Sequence, residues 1–350
     1  MSDDPVTRLN AALEGRYAIE RELGEGGMAT VYRTKITILI LFLTALSTCR
    51  GPDEDFTIIV LPDTQFYSAS MNGGGPEIFE AQTRWIVENR DSLNIAFVTH
   101  VGDFVQHGDS VLAEWEAADA AISLLEDPVT TGLAEGIPFG VAVGNHEQSP
   151  WGDADGTTAL FNRFLGVSRF EGRSYYGGHF GATNDNHYEV FSVGSLDFII
   201  LHLEFDTSPD SAVLAWADEL LKEHNTRRAI VVTHFMVGPG NPADFGAQGQ
   251  AIYDELKGNP NLFLLLGGHV PFDGGEGRRV DSFDGQTVYS LLSDYQARSR
   301  GGDGWLRIMR FSPARNEIAV QTFSPYVDEG RGAFETDESS QFVLNYDMSR

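Results

Sequence analysis

The chain has 350 residues, room for one substantial core or two small ones, and carries 51 acidic against 24 basic side chains, a formal net charge of −27. A surface with that balance repels polyanions, which excludes nucleic-acid binding by a basic face. Lys35, Lys222 and Lys257 are the only lysines, and Cys49 is the only cysteine.

In chain order, the first segment does not belong with the rest of the chain. Residues 13–32 resemble the start of a bacterial serine/threonine kinase, with Gly24, Gly26 and Val31 matching its glycine-rich loop. A kinase also needs a strand lysine in a V-A-I-K context and an H-R-D catalytic loop, and the sequence contains neither, so residues 1–27 read as a remnant without phosphotransfer chemistry. From Met28 a short basic region ending at Lys35 leads into the uncharged apolar run 36–46 and then Ser47-Thr48-Cys49, the layout of a secretory signal peptide. The run is too short to span a bilayer comfortably, which takes about 20 residues. Residues 46–49 resemble a bacterial lipobox. The expectation is an exported protein, periplasmic or extracellular, attached to a membrane only through this signal peptide (28–49) or a lipid on Cys49, with residues 50–350 forming the functional domain.

Beyond the polar linker 51–55, five apolar runs end abruptly in a potential ligand. Residues 56–61 run into Pro62-Asp63-Thr64-Gln65, 95–101 into Gly102-Asp103, and 138–143 into Gly144-Asn145-His146-Glu147. Residues 229–233 run into His234, and 262–266 into Gly267-Gly268-His269. Such runs read as buried strands, and open α/β sheets bind ligands at the carboxyl ends of their strands. Singly, an Asp there is a turn former and a His a core residue. Jointly, Asp, Asp, Asn, His and His form the mixture of hard oxygen and imidazole that suits a pair of divalent transition metals.

Between these runs, Ile78, Ala81, Trp85 and Ile86, then Leu112, Trp115, Ile122 and Leu125, and later Val213, Ala217, Leu220 and Leu221 recur at helical spacing. They predict crossover helices packed on a sheet. Residues 151–187 are glycine- and aromatic-rich and read mostly as surface loop. Residues 188–193 and 196–204 predict an antiparallel hairpin turning at Gly194-Ser195, with His202 and Glu204 at its far end. Residues 274–279 read as a glycine-rich loop whose Arg278 and Arg279 either hold a phosphate or pair with nearby carboxylates. The runs 288–292, 305–311 and 317–323 predict antiparallel strands completing a second sheet.

The ordered motifs D-T-Q, G-D, G-N-H-E, strand-end His and G-H resemble the calcineurin-like metallophosphoesterases over roughly residues 56–325. The resemblance implies an α/β fold, a four-layer αββα sandwich of two mixed β-sheets flanked by helices. It implies two divalent ions, drawn from Mn, Fe, Zn, Mg or Ca. Asp103 would bridge them, Asp63 and Gln65 serving one ion, and Asn145, His234 and His269 the other. His146 would be the general acid, and the reaction hydrolysis of a small organic phosphomonoester or phosphodiester by metal-activated hydroxide. His202, Arg278 and Arg279 are candidate substrate contacts. Two positions depart from the family pattern: Gln65 and Pro271 stand where histidines are usual, both on one ion, with Asp273 the nearest replacement in the sequence. That ion should bind more weakly and prefer harder metals. The alternative is a non-catalytic, metal-bearing protein that binds a phosphate ligand at the cell surface.

Overall fold

The structure, a computed structural model, describes residues 18–26, 29–35 and 54–349. The start of the kinase-like segment, the apolar run 36–46 and Cys49 lie outside the described residues, and the signal and lipid expectations with them. The chain divides into two units, Met1–Asp53 and Glu54–Arg350. In the first, β1 (Ala18–Gly26) and β2 (Ala29–Lys35) pair antiparallel, with Gly24 opposite Val31. Among the described residues no helix is long and apolar enough to cross a membrane.

In the second unit the strand-forming runs divide between two sheets. The smaller sheet has β3 (Phe56–Leu61) parallel to β4 (Ile95–His100) and β4 parallel to β5 (Phe139–Val141). The larger sheet is made of β6 (Tyr176–His179), β7 (His187–Val193), β8 (Leu196–Leu203), β9 (Arg228–Thr233), β10 (Val237–Gly240), β11 (Ala243–Phe245), β12 (Leu262–Gly267), β13 (Glu276–Phe283) and β14 (Gln286–Ser293). Their order across it is β11-β10-β13-β14-β12-β9-β8-β7-β6. The chain then returns to the smaller sheet, where β15 (Leu306–Ser312), β16 (Glu317–Ser324) and β17 (Ala333–Phe334) extend it antiparallel from the free side of β3, with β18 (Gln341–Asn345) also on β16.

Strand alternation distributes the apolar runs over three cores, which is what makes four layers. Ile58 and Val60 of β3 face the space between the sheets with Ile200, Val232, Leu266 and Phe311. Ile59 and Leu61 face outward onto the helices Pro76–Asn89 and Leu112–Ile122, through Phe79, Ile86, Trp115 and Ile122. Ile199, Leu201 and Val231 face the other way, onto the helices Ser211–Glu223 and Ala247–Leu256. The expected αββα sandwich is the observed fold.

Several local expectations need correction. Residues 274–279 are mostly strand: β13 pairs antiparallel with β14 from Glu276–Ser293 to Phe283–Gln286. The three late strands do not share a sheet, because β14 is drawn parallel onto β12 while β15 and β16 close on β3. Leu112 is exposed, leaving Trp115, Ile122 and Leu125 to fill the core. In Pro76–Asn89 the buried face turns toward Gln82 and Thr83, and the Gln82 amide donates to the Trp305 carbonyl at 2.9 Å, so a polar pair occupies a position that apolar periodicity assigns elsewhere. Residues 151–187 contain the helices Ala159–Leu165 and Val167–Phe170 as well as β6. Arg169 and Arg173 there are tied to Glu126, and Arg169 also to Asp119. An isolated D-F-G triplet, Asp244-Phe245-Gly246, ends β11 with no kinase loop around it.

Candidate metal centre

Parallel pairing sets the carboxyl ends of β3, β4 and β5 along one edge of their sheet, and those of β8, β9, β12 and β14 along one edge of the other. The ligand-type residues therefore gather by topology alone. Asp103, His234 and His269 offer ligand atoms that all lie within 4.8 Å of one another.

Close backbone approach is what the glycines of the motifs supply. A Cβ on Gly144 would stand 2.2 Å from Asp103 Oδ1, and one on Gly268 would stand 2.1 Å from Asp63 Oδ1. Any side chain at either position would displace a carboxylate. Two ligand candidates sit in the left-handed region, Asp103 at φ 53° and His269 at φ 75°. Aspartate adopts that conformation readily, whereas a histidine holds it mainly where its surroundings impose it.

Hydrogen bonds fix the direction of each donor atom. His234 Nδ1 donates to the Val101 carbonyl at 3.0 Å, and since a carbonyl only accepts, Nδ1 carries the hydrogen. Its Nε2 lone pair is thereby aimed at Asp103 Oδ2, 3.1 Å away, and Asp63 Oδ2, 3.9 Å away, the tautomer a metal-binding imidazole uses. The His269 backbone N–H donates to Asp63 Oδ2 at 3.2 Å. His146 donates its backbone N–H to Asp103 Oδ1 at 3.1 Å and its Nδ1–H to the Gln106 carbonyl at 2.7 Å, which leaves Nε2 free and 3.8 Å from Asp103 Oδ2.

The charges are crowded. Burial, then Asp294 and Asp103, push the Asp63 carboxyl well above the usual carboxylate range. Burial also works to raise Asp103, but His234 and His146 outweigh it and bring the carboxyl down to about 2. Burial lowers His234, yet Asp103 reverses that and raises it. His269 falls to about 4 through burial and its neighbour His234. Among the described residues no lysine or arginine pairs with Asp63 or Asp103. Three buried polar atoms, Gln65 Oε1, Asn145 Oδ1 and His234 Nε2, have no hydrogen-bond partner. Crowded buried carboxyl groups and acceptors without donors are costly unless something positive joins them. The donor set, carboxylate and amide oxygen with imidazole nitrogen, fits a pair of divalent ions.

Of the residues singled out from the sequence, Asp63, Asp103, His146, His234 and His269 are linked by the contacts above, and Gln65 and Asn145 follow the same strand ends with a buried amide oxygen left unpartnered. His202 does not join them. It is fully buried, with Nε2 on Thr99 Oγ1 at 2.9 Å and Nδ1 on Glu189 at 2.9 Å, so no substrate reaches it. Arg279 forks onto Asp281 at 2.7 and 2.8 Å and covers Phe245, the ion-pairing alternative. Arg278 lies over the Phe342 ring at 4.7 Å. Asp273 is exposed, in an outer cavity with Asn241 and Arg278. Two supporting residues carry no role in the sequence reading. Glu147 accepts from the backbone N–H groups of Asp103, Val105 and Gly144 at 3.1, 3.1 and 2.7 Å, tying two ligand loops together. His100 takes the Gly102 N–H on Nδ1 and sets Nε2 on Thr64 Oγ1 at 3.0 Å. The final letter of G-N-H-E is the available signal for Glu147; His100 has none.

Comparison with known proteins gives the same picture. Residues 56–273 match the family model described as calcineurin-like phosphoesterase. An uncharacterized protein of Bacillus subtilis, YvnB, is 33% identical over 310 residues. That match takes in 85% of this chain but 22% of the relative, so the chain spans about a fifth of its length. Among solved structures, a dimetal phosphatase from Danio rerio superposes with a TM-score of 0.53 at 13% identity, covering 83% of this chain and 99% of that one. Purple acid phosphatase PPD1 from yellow lupin does so with 0.53 at 13%, covering 86% and 55%. At such identities these likenesses establish the fold.

Proposed function

The chain belongs to the calcineurin-like phosphoesterase family, and from that premise we propose that it hydrolyses a small organic phosphate ester, monoester or diester, outside the cytoplasm. The observation that carries the chemistry is the meeting of Asp103, His234 and His269 within 4.8 Å, with a histidine whose free nitrogen faces the same carboxylate.

Two divalent ions held by Asp63, Asp103, Gln65, Asn145, His234 and His269 would supply charge against the phosphoryl oxygens and a water of lowered pKa as nucleophile. The chain's own residues do the rest. Asp103 turns Oδ2 toward the Nε2 atoms of His234 and His146 and accepts the His146 backbone N–H on Oδ1. Val101 locks the His234 tautomer, and Glu147 holds the loops of Asp103 and Asn145 in register. As the nucleophilic oxygen, its water having released one proton to solvent, bonds to phosphorus and the ester P–O bond breaks, His146 Nε2 would give its proton to the departing oxygen, while the Gln106 carbonyl keeps Nδ1 protonated. Trp151, 70% exposed with its ring 4.9 Å from that of His146, offers a surface for the organic part of the leaving group.

Export is supported by the basic region, the apolar run 36–46 and Cys49, which also allow a lipid anchor. A small substrate is supported by the net charge of −27, which disfavours polyanionic esters. The test is a panel of monoesters, diesters and nucleotides offered to protein loaded with Mn, Fe or Zn. Turnover of at least one class is expected; metal-loaded protein that binds phosphate ligands and turns none over contradicts the proposal.

A further inference from the structure

Gln65 and Pro271 remove two imidazoles from the Asp63 side of the centre, and Pro271 offers no side-chain ligand in return. Asp273 does not replace it, being exposed on an outer cavity. A different carboxylate is already in place. β14 runs parallel to β12 with Leu292 opposite Gly267, so the two strands end side by side. His269 follows one end and Asp294 follows the other.

Asp294 is fully buried, and its surroundings join it to Asp63. Its Oδ1 accepts the Gln296 backbone N–H at 3.1 Å, and its Oδ2 accepts Gln296 Nε2 at 3.2 Å. The same Nε2 reaches Asp63 Oδ2 at 3.4 Å. Gln65 Nε2 donates to Gln296 Oε1, which leaves Gln65 Oε1 buried and without a partner. One amide thus bridges two buried carboxylates, beside a second amide whose oxygen lacks any donor. Among the described residues, no lysine or arginine pairs with Asp63 or Asp294. Deep burial of two carboxylates with only amides between them is tolerable where a cation completes the set.

Resting on the two-metal reading above, we propose that Asp294 is a metal ligand, standing in for the imidazole absent at Pro271, and that Gln296 positions it. The ion on this side is then held by Asp63, Asp103, Asp294 and Gln65 Oε1, all oxygen donors, while the other side keeps two imidazoles and the Asn145 amide. An all-oxygen site selects hard ions such as Mn²⁺, Mg²⁺ or Ca²⁺. The centre is therefore built for two different ions, or for one ion bound with two affinities.

The test counts ions rather than turnover. Full-length protein stripped by chelation is titrated with Mn²⁺ by calorimetry and electron paramagnetic resonance. Wild type is expected to bind two equivalents and give a spin-coupled signal. Asp294→Asn keeps an acceptor for the Gln296 N–H, and is expected to bind one equivalent as before and the second about tenfold or more weaker, with the coupled signal lost. Asp273→Asn should match wild type. Asp294→Asn that binds two equivalents like wild type, or wild type that binds only one, overturns the assignment. Should Asp294→Asn fail to fold, hydrogen exchange on wild type decides: the second equivalent should slow the amides of residues 294–296, and no change there overturns it equally. Two ions in wild type and one in Asp294→Asn support the assignment even if no ester is hydrolysed, in which case only the reading of the activity falls.

Discussion

Among the described residues two clusters are made of the same parts, and they differ in whether a ligand can reach them. Asp103, His234 and His269 meet at the strand ends; His187, Glu189 and His202 meet inside the larger sheet, also with ligand atoms within 4.8 Å. In the inner cluster both rings and the carboxylate are fully buried, the rings stack at 4.8 Å, and each imidazole has an internal bond, His187 to the Asn184 carbonyl and His202 to Thr99 and Glu189. A Cβ on Gly140 would lie 2.3 Å from His202, so β5 seals the cluster from the other sheet. In the outer cluster, backbone carbonyls take one nitrogen of His234 and of His146 and leave the other directed at carboxylates. Proximity of the right residue types is thus insufficient; His187 Nε2 and Glu189 Oε1 also lack hydrogen-bond partners, so what decides is whether a ligand can arrive, and the inner cluster is fully buried.

That contrast can be broken first at Asp103. Asp103→Asn removes charge from the residue shared by both halves of the centre, so activity should fall to background and elemental analysis should find less than one ion bound. His146→Ala comes next, with a loss of about 10²–10⁴-fold on esters with poor leaving groups and a much smaller one on nitrophenyl esters, because only the former need the proton. Equal losses on both would show that His146 acts on the structure instead. Glu147→Gln presents an amide N–H₂ to backbone donors it now accepts from, and should weaken metal affinity by about 10–100-fold in calorimetry while the fold persists.

The inner cluster should respond to pH, not to metal. Burial raises Glu189 from 4.5 to about 8, so through that window the folded state keeps a proton the unfolded chain has released, and stability falls as pH rises. Burial lowers His187 from 6.5 to about 4 and His202 from 6.5 to about 3. There the unfolded chain binds the extra protons, and stability climbs as pH rises toward 6.5. The net contribution should peak near pH 6.5 and decline toward 8. Glu189→Gln should make the decline shallower by about 1.4 kcal/mol per pH unit in denaturant titrations, the rest coming from Glu147 and Glu204, which burial also raises, to about 8 and about 7. A decline of equal slope in that variant would place its origin elsewhere.

Most of the centre was legible because one rule, an apolar run cut off by a ligand residue, matches how parallel strands deliver side chains to an edge. The rule extends to one more strand, since residues 286–293 also end in a carboxylate, Asp294. Sequence alone does not single it out, because residues 274–279 read as a loop and the run after them as an antiparallel strand. The parallel pairing on β12 that aligns Asp294 with His269 emerges only in the fold. His202 fails as a substrate contact for a related reason. Alternation places it on a face but does not say which face is sealed, and that depends on a second sheet far away in sequence. Glu147 acts through hydrogen bonds to backbone and His100 through one to backbone and one to the Thr64 hydroxyl, which leave no periodic trace.

The most direct test of metal-dependent ester hydrolysis is a reconstitution titration on chelated protein, following Mn²⁺ bound and rate on a responsive phosphate ester in the same samples. The predicted result is no hydrolysis without metal and a rate that rises mainly as the second equivalent binds. Full activity in the stripped protein, or two bound equivalents with no hydrolysis of any ester on the panel, would contradict it.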